Sequence, residues 1–546
     1  MSKKFLVFLG LHAILLVFWI AHLVAIQLID IYRFDKQSVV KQRYKNRKRI
    51  LQSIRGDIYD ARNNLLVSTN KYYRLEINRT AINDNLPEGK TKKSFYNEIA
   101  EFFDKNTHIS KESILTKFSY SKNKVDYIYI SKKMTIDELL KIQKFFKEKD
   151  ISCLTYNFSH MNRIYTQNNI ANRLLGSTYS QFDPHKNMFN QIYKLKGLTG
   201  IEKSYDEYLL GKYGWLEGRL DGSGDFIQMP DSREKEAVNG NSIQLTIDKN
   251  IQEIVERHLA AGLTKFEAQN GVAVVIEPST GKILALSSIN KDDAGKQERE
   301  IRLSSNLGVS FLFEPGSTFK SLPILLALED NLYDWTTKID CSTLVTEYDR
   351  KISDHKRFDE FNLKNLLTYS SNPGISRVVE KVGKYRYWSF LKDVGFGRGS
   401  GLDLKGENSG KLRHHTRWSA YSLHSLAFGQ EISVNIVQLA KVYAAIANGG
   451  KMMRPYLLEK VISPKGEIVE HFKPKFEKTI GSKASIDTLK SYLKNVVDNG
   501  TATIAQFNGI SCAGKTGTAE KTISKNDDET TYYTSFAGFL PVENPK

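Results

Sequence analysis

The sequence predicts a mixed fold, α+β or α/β, behind an N-terminal transmembrane helix, and three observations lead to this prediction. The chain has 546 residues, which at roughly 100–200 residues per domain corresponds to about three domains. An almost entirely apolar segment lies near its start. From about residue 238 onward, predicted strands are followed by helices and then by strands again, as expected when a helical insert separates two halves of one sheet.

The composition is that of a folded protein. Hydrophobic residues make up 40% and charged residues 26% of the chain, which excludes a disordered protein, and the lack of a G-X-Y period excludes collagen. The three cysteines, Cys153, Cys341 and Cys512, allow one disulfide at most and include no C-x-x-C pair. We expect each to be a small buried apolar residue, and we predict no metal site.

The net charge of +18 points to an anionic partner. Most of the excess is spread along the chain, and the one dense basic run, Lys41–Arg49, follows the apolar segment directly. A membrane surface explains that position more simply than nucleic acid does. Because the sequence contains no helix-turn-helix, zinc-finger or RRM pattern, we predict no nucleic-acid partner.

The apolar segment Phe5–Ile29 predicts a single-pass membrane anchor. Its 25 residues are broken only by His12, His22 and Gln27, and this length crosses a bilayer with some tilt. A cleaved signal peptide has a shorter apolar run and a small-residue cleavage site, and a buried core helix is rarely apolar on all sides for so long. Residues 1–4 would then form a cytoplasmic tail.

The orientation of this anchor is in conflict with its flanking charges. Lys3 and Lys4 precede the segment, whereas eight Lys and Arg residues follow it between Arg33 and Arg49. The positive-inside rule alone would therefore keep the large part of the chain in the cytoplasm. We predict the opposite, with a cytoplasmic N-terminus and the large part of the chain on the other side of the membrane, because the chemistry argued below has its substrate outside.

Three regions follow the anchor. Residues 30–52 are predicted to form a basic, helical juxtamembrane connector, residues 53–235 one domain of short strands and helices, and residues 236–546 another. In the last region the patterns predict strands at Ile243–Ile247, Gly514–Glu520 and Tyr532–Leu540, a hairpin at Gly271–Ser288, helices at Asn250–Leu263, Ser317–Leu328 and Val434–Asn448, and a polar loop at Ser524–Thr530.

The first candidate site is Ser317-x-x-Lys320, which follows a Pro-Gly turn and precedes an apolar helical pattern. Ser317 would lie at a helix N-terminus, where backbone N–H groups favour developing negative charge. Lys320, three residues on, would lie on the same face and could accept the serine proton once its pKa is lowered from about 10.4. S-x-x-K also occurs at 38, 279 and 491, but only Ser317 combines the turn, the helix start and the apolar flank.

Two further segments supply groups of the kind a serine acyl transfer needs. Ser370 and Asn372 could hand on a proton and hold an amide, although by itself this segment is typical of a polar turn. In Lys515-Thr516-Gly517-Thr518, the lysine supplies a cation, the two threonines supply hydroxyls for a carboxylate, and the glycine allows close approach of a ligand.

The stretch Gly509–Thr516 also fits G-x-x-x-x-G-K-[ST], the phosphate-binding loop. That function requires a strand before the motif and a helix after it. Here a glycine, a polar loop and an apolar strand follow, so the pattern favours a hairpin. A nucleotide site remains an alternative with weak support.

The three segments, taken in order, resemble the motifs of the penicillin-binding proteins and serine β-lactamases. The separations are 53 residues from Ser317 to Ser370 and 145 residues from Ser370 to Lys515, both in keeping with that family. Arg55–Asn63 resembles the RGxIxDRNG opening of the class B pedestal, with Ala61 inserted and Asn64 in place of the glycine.

Other segments extend the resemblance over almost everything after the anchor. Gly197–Glu202 resembles the later GxxGIE block of the pedestal, and Ala427–Glu431 resembles a segment usual before the third motif. The sequence around Glu314 and Ser371 is more similar to the division-specific septal enzyme than to its elongation counterpart.

This resemblance implies an elongated, dimerisation-like pedestal at residues 53–235. It also implies a transpeptidase domain at residues 236–546, with an antiparallel sheet, helices on both faces and a helical subdomain. In the family a further strand and a terminal helix follow the strand at Tyr532–Leu540, so we expect this chain to lack the last strand and helix of the domain.

The resemblance further implies a peptidoglycan D,D-transpeptidase that acts on D-Ala-D-Ala stem peptides without metal or organic cofactor. Ser317 would be the nucleophile and Lys320 its base, with Ser370 as proton relay and Asn372 as an orienting group. Lys515 would be a further catalytic residue that also binds the terminal carboxylate, and Thr516, Gly517 and Thr518 would bind substrate. The backbone N–H groups of Ser317 and Thr518 would form the oxyanion hole.

The implied partners are β-lactam antibiotics, the inner membrane, and a glycosyltransferase with other divisome membrane proteins. Two alternatives stay open: a membrane-tethered serine β-lactamase or D,D-carboxypeptidase, and a non-catalytic divisome scaffold.

Overall fold

The computed structural model describes residues 12–24, 47–120, 126–166, 170–183, 190–220, 226–346, 349–521 and 531–546. The chain divides into two compact units. The smaller unit comprises Met1–Ile54, Ser180–Lys194 and Leu210–Gly240, and the larger comprises Arg55–Tyr179, Leu195–Leu209 and Asn241–Lys546. Helices and strands both contribute to the larger unit, so the prediction of a mixed α+β fold is confirmed.

The smaller unit contains a four-stranded antiparallel sheet. Its central strand, Gly214–Leu220, pairs with Arg47–Leu51, Phe226–Ile227 and Glu234–Lys235. The Lys48 ammonium lies 3.7 Å from the centre of the Trp215 ring, a cation–π contact across the pair.

The connector prediction is wrong where the structure describes it. Residues 30–52 were expected to be helical, but Arg47–Leu51 is a strand, because its backbone completes the ladder of Gly214–Leu220. Residues 30–46 of the connector, and residues 5–11 and 25–29 of the predicted anchor, lie outside the described residues. Residues 12–24 of the anchor are helical. Among the helices that the structure describes, none combines the length and apolarity needed to cross a membrane.

The larger unit is organised around a seven-stranded sheet. Its strands are Ile468–His471, Leu458–Ile462, Ser242–Leu245, Ile58–Tyr59, Leu65–Asn78, Tyr127–Met134 and Leu154–Tyr165. Pairing is antiparallel except between Ser242–Leu245 and Ile58–Tyr59, which run parallel. The strand Leu65–Asn78 is flanked on its two edges by Tyr127–Met134 and Leu154–Tyr165.

One end of this sheet is covered by helices that close a first core. The helices are Arg79–Asp84, Lys92–Asn106, Lys111–Tyr120 and Ile136–Lys147. Phe95, Phe103 and Phe146 are fully or almost fully buried there. Capping boxes at Thr91 and Thr135 satisfy the first backbone N–H groups of two of these helices.

A buried ion cluster explains the Arg55-Gly56 segment singled out in the sequence. Arg55 and Arg163 both donate to the Glu202 carboxylate at 2.7 Å, and all three side chains are at most 2% exposed. Burial acts to raise the pKa of Glu202, but the charges and hydrogen bonds of Arg163 and Arg55 outweigh it and lower that pKa. A Cβ atom at Gly56 would lie 1.9 Å from the Asn241 carbonyl oxygen, so only glycine fits this approach.

A second group of helices surrounds the main core of the larger unit. The helices are Ser321–Glu329, Leu363–Tyr369, Asn372–Val382, Lys384–Asp393, Ser422–Ala427, Ile436–Ala447 and Lys483–Asn499. The helices Lys249–Lys265, Glu298–Leu303 and Leu307–Ser310 contribute no residue to this core. Ser321–Glu329 is buried along almost its whole length, which agrees with its unbroken apolar sequence. This core reaches from Phe313 to Val542.

Two hairpins lie on either side of this helical region in the sequence. Asn270–Ile276 pairs with Ile283–Asn290, and Ala513–Lys521 pairs with Thr531–Phe539. The prediction that they form two halves of one sheet is not realised among the described residues, because no ladder joins the two ribbons. The helix Ile436–Ala447 packs against both. The predicted loop at Ser524–Thr530 lies outside the described residues.

Candidate active site

Ser317 lies in a short 3₁₀ turn, Gly316–Lys320, that leads into the buried helix Ser321–Glu329. The prediction that Ser317 begins the α-helix itself is therefore corrected by one turn. The turn is tight because Thr318 Oγ1 donates to the Pro315 carbonyl at 2.8 Å, and Ser317 is left partly exposed.

Two glycines bring neighbouring segments against this turn. Gly316 has φ +59°, and a Cβ atom there would lie 2.6 Å from the Thr518 carbonyl oxygen. A Cβ atom at Gly429 would lie 2.2 Å from the Gly316 carbonyl oxygen, and the Gly316 N–H donates to the Gly429 carbonyl at 3.0 Å. Small residues at both positions are therefore a steric requirement, which accounts for the glycine of the Ala427–Glu431 segment.

The Lys320 amine is buried at the centre of the site. Its side chain is 0% exposed, and its Nζ donates to the Ser370 carbonyl at 2.5 Å, to Ser370 Oγ at 3.1 Å and to Asn372 Oδ1 at 2.7 Å. No hydrogen bond joins Lys320 Nζ to Ser317 Oγ among the described residues. The amine thus connects the first and second predicted segments.

Backbone geometry orients the second segment toward Lys320. Ser370 ends the helix Leu363–Tyr369 in the left-handed region, at φ +64°, which is uncommon for a non-glycine residue. Ser371 then caps the helix Asn372–Val382 by accepting from the Gly374 N–H at 3.2 Å. The two helix ends present both Ser370 and Asn372 to the same amine.

The third segment is the strand Ala513–Lys521 of a two-stranded ribbon, and its lysine is also buried. Lys515 is 0% exposed, and its Nζ donates to Thr501 Oγ1 and to the Thr516 carbonyl, each at 3.3 Å. A Cβ atom at Gly517 would lie 2.5 Å from the Pro315 carbonyl oxygen. This contact places the strand directly beside the turn that holds Ser317.

Thr516 and Thr518 differ in their surroundings on this strand. Thr516 is half-buried and shares a hydrogen bond of 3.0 Å with Thr501 Oγ1, whereas Thr518 is exposed. The Thr518 backbone nitrogen lies 3.1 Å from the position that a Cβ atom would occupy on Gly316. The backbone nitrogens of residues 317 and 518 therefore belong to adjoining segments.

Both buried amines have a lowered pKa. Burial is the main cause for Lys320, the charge of Lys515 adds to it, and the Asp354 carboxylate opposes it. Burial also lowers the pKa of Lys515, to about 7. An amine with such a pKa is neutral in a substantial fraction of molecules near neutral pH and can accept a proton.

The structure brings all the predicted site residues to one place, and it adds two that the sequence did not single out. Asp354 Oδ1 accepts from the Asn372 N–H at 2.6 Å, and Thr501 contacts Lys515 as described above. Both lie in irregular segments, so neither a period nor a motif indicates them. The alternative of a phosphate-binding loop is not supported, since Lys515 lies within a strand rather than at a helix start.

A buried lysine that joins an S-x-x-K segment to an S-x-N segment, with a K-T-G strand packed beside them, defines the class of penicillin-recognising serine proteins. Residues 271–546 match the family described as penicillin binding protein transpeptidase domain, and residues 50–245 match the penicillin-binding protein dimerisation domain. The chain belongs to this family of penicillin-binding proteins, which confirms the resemblance inferred from its motifs.

Two curated relatives are 32% and 28% identical to this chain over the residues that align. Stage V sporulation protein D of Bacillus subtilis is 32% identical over 368 residues, which cover 64% of this chain and 55% of that protein. The peptidoglycan D,D-transpeptidase FtsI homolog of Mesostigma viride is 28% identical, covering 64% and 63% respectively. The chain thus spans less than two thirds of the length of these relatives.

Solved structures share the fold at lower identity. Penicillin Binding Protein 2X from Streptococcus thermophilus aligns with a TM-score of 0.74 at 22% identity, covering 91% of this chain and 75% of that one. Penicillin binding protein 3 from Mycobacterium tuberculosis, solved in complex with aztreonam, aligns with a TM-score of 0.62 at 21% identity, covering 91% and 89%.

Proposed function

We propose that this chain is a peptidoglycan D,D-transpeptidase, which cross-links stem peptides through an acyl-enzyme on Ser317 in septal cell-wall synthesis. The observation that supports this most strongly is the fully buried Lys320 amine, held by Ser370 and Asn372 one helical turn from Ser317. Family membership and relatives named as peptidoglycan D,D-transpeptidases add support.

The first chemical step is attack of Ser317 Oγ on the carbonyl carbon of the penultimate D-Ala. The new O–C bond forms as the serine proton passes to the neutral Lys320 amine. Burial of Lys320 and the nearby Lys515 charge both favour the neutral form, which is the form a base requires.

Charge that develops on the substrate oxygen would be stabilised by the backbone N–H groups of Ser317 and Thr518. Their segments adjoin through Gly316, and a donor of this kind contributes about 3–4 kcal/mol to the transition state. Lys515, Thr516 and Thr518 would bind the terminal carboxylate of the stem peptide.

Collapse of the intermediate breaks the C–N bond and releases D-Ala. Ser370 Oγ lies 3.1 Å from Lys320 Nζ, so it can relay the proton to the leaving amine, while Asn372 orients the lysine. An amine from a neighbouring stem peptide then attacks the ester carbonyl, forming the cross-link and returning the proton. A β-lactam would acylate the same serine and remain attached.

A labelled penicillin tests this assignment of residues. The purified chain should be labelled covalently, Ser317→Ala should lose labelling altogether, and Lys320→Arg should lose most of it because a guanidinium cannot act as a base. Labelling intensity after denaturing electrophoresis is the measurement, with Ser279→Ala, in another S-x-x-K sequence, as the matched control. Full labelling of Ser317→Ala would exclude the proposal.

We further propose that Phe5–Ile29 anchors the chain in the inner membrane, with its N-terminus in the cytoplasm and its catalytic domain in the periplasm. The apolar sequence and the helix at 12–24 support the anchor, while the flanking charges oppose the orientation. A phosphatase reporter fused after residue 546 should be active, since that enzyme folds only outside the cytoplasm. An inactive but expressed fusion would contradict this orientation. A glycosyltransferase and other divisome membrane proteins are the proposed partners.

A further inference from the structure

The segment between two short strands, Lys351–Ile352 and Glu360–Phe361, approaches the candidate active site from the side of Asn372. Asp354 is its point of contact: its Oδ1 accepts from the Asn372 backbone N–H at 2.6 Å. The next residue back contributes more weakly, since the Ser353 carbonyl lies 3.5 Å from Asn372 Nδ2. Asn372 in turn accepts from the Lys320 amine at 2.7 Å, so a continuous path joins the carboxylate to the proposed base.

The second carboxylate oxygen of Asp354, Oδ2, is buried without a hydrogen-bond donor in the part of the chain that the structure describes. Unlike Oδ1, which accepts from the Asn372 N–H, Oδ2 has no hydrogen-bond partner among the described residues. An unpaired buried carboxylate oxygen is costly unless the charge interacts favourably nearby. Lys320 supplies that interaction when it holds the serine proton, because the Asp354 charge favours the protonated amine.

Cationic side chains and a thiol surround the path from Asp354 to Lys320. Lys515 faces Lys320 from the K-T-G strand and opposes its protonation. Lys356, Arg357 and Cys341 line a cavity of about 360 Å³ beside Asp354. The Asp354 carboxylate opposes the effect of Lys515 on Lys320, because its charge raises the pKa of that amine.

We infer that Asp354 is a positioning residue for acylation: it fixes the Asn372 backbone and, through Asn372, the Lys320 amine, and its charge sets how readily that amine releases its proton. This inference rests on the proposed acyl transfer at Ser317. It adds a function for a segment that lies outside the three motifs. A base that is desolvated and faces a second amine needs such a counter-charge to remain able to carry the proton during the reaction.

Two substitutions separate geometry from charge. Asp354→Asn keeps an acceptor oxygen of the same reach for the Asn372 N–H but removes the charge. Asp354→Ala removes both the acceptor and the charge. Asp359→Asn is the matched control, because Asp359 is an exposed carboxylate in the same segment.

The measurement is the second-order rate of covalent labelling of the full chain by a fluorescent penicillin, from about pH 5 to about pH 10. For Asp354→Asn we expect the rising part of the rate–pH profile to move to lower pH by about half a unit or more. The reason is that the variant lacks the carboxylate charge that favours protonated Lys320. Its plateau should remain within about threefold of the wild type. For Asp354→Ala we expect the plateau to fall roughly tenfold or more, because Asn372 loses a charge-assisted hydrogen bond.

The outcomes separate this inference from the proposed function. If the wild type labels on Ser317 but the pH profile of Asp354→Asn coincides with those of the wild type and Asp359→Asn, the inference is overturned and the proposed function stands. A plateau in Asp354→Ala equal to that of the wild type also overturns it. Melting temperatures of all variants are measured alongside. If Asp354→Asn labels more slowly but the rising part of its rate–pH profile stays at the wild-type pH, Asp354 is a merely structural residue and the inference is overturned. Labelling that persists in Ser317→Ala defeats the proposed function itself.

Discussion

At the scale of single residues, burial of charge determines what this site can do. Two lysines, Lys320 and Lys515, are each 0% exposed, although lysine is seldom fully buried without an ionised partner. Desolvation lowers the pKa of both amines, and for Lys320 this makes base chemistry possible. The same burial lowers the free energy of unfolding at any pH where the unfolded chain carries these amines in their charged form.

This destabilisation predicts a pH dependence of stability. The pKa of Lys515 is about 7 in the folded chain and about 10.4 when unfolded, so between these values the unfolded chain binds a proton that the folded chain does not. Unfolding free energy should therefore rise with pH from about 7 toward about 9.5, by at most about 1.4 kcal/mol per unit for this group. Above that, buried tyrosines such as Tyr443, whose pKa burial raises, act in the opposite direction.

Replacing the lysine tests this account. Lys515→Met should reduce the rise in melting temperature between about pH 7 and about pH 9, without removing it, because Lys320 contributes with the same sign. Lys460→Met, a partly exposed lysine on the strand Leu458–Ile462, is the control and should leave the slope unchanged. An identical slope in Lys515→Met would show that Lys515 is charged in the folded chain.

The motif residues could be predicted from sequence because their spacing is fixed by local structure. Ser317 and Lys320 share a turn, and Ser370 and Asn372 flank a helix cap. Asp354 could not be predicted in this way, since its contact with Asn372 depends on tertiary placement of an irregular segment. Thr501 escapes prediction for the same reason.

At the scale of elements, the local sequence pattern predicted whether a segment is a helix or a strand better than it predicted where that element begins and ends. The strand expected at Gly514–Glu520 is Ala513–Lys521, and the helix expected at Val434–Asn448 is Ile436–Ala447. The helix expected from Ser317 begins at Ser321 instead, because the preceding residues tighten into a 3₁₀ turn against Gly429. Tertiary contact with a neighbouring backbone, which the sequence pattern does not report, decides that boundary.

The connector shows where charge pattern misleads. The sequence predicts a basic helix over residues 30–52, yet Arg47–Leu51 is a strand in which Arg49 is exposed and Ile50 is buried. Its partner Gly214–Leu220 lies more than 160 residues away. Pairing with a strand distant in the sequence overrides a weak local preference for helix. The residues around position 47 do not indicate that partner strand.

At the scale of the whole molecule, the central claim is that the chain joins two stem peptides rather than hydrolysing one. The hydrolytic alternatives require a group that activates water on the acyl-enzyme. We assign the Lys320 amine, held by Ser370 and Asn372, to acylation, and we assign no group to the activation of water. We therefore assign the second step to an incoming amine. A purely structural divisome protein, which would form no acyl-enzyme, is the contrasting case.

Mass spectrometry of the products tests this claim most directly. The purified full chain is incubated with a donor peptide ending in D-Ala-D-Ala and an acceptor peptide with a free side-chain amine, and Ser317→Ala is the control. We predict a new species equal in mass to donor plus acceptor minus one D-Ala, formed by the wild type and absent with Ser317→Ala. Donor that only exchanges its last D-Ala for water, or that stays unchanged with active wild-type protein, would contradict the account.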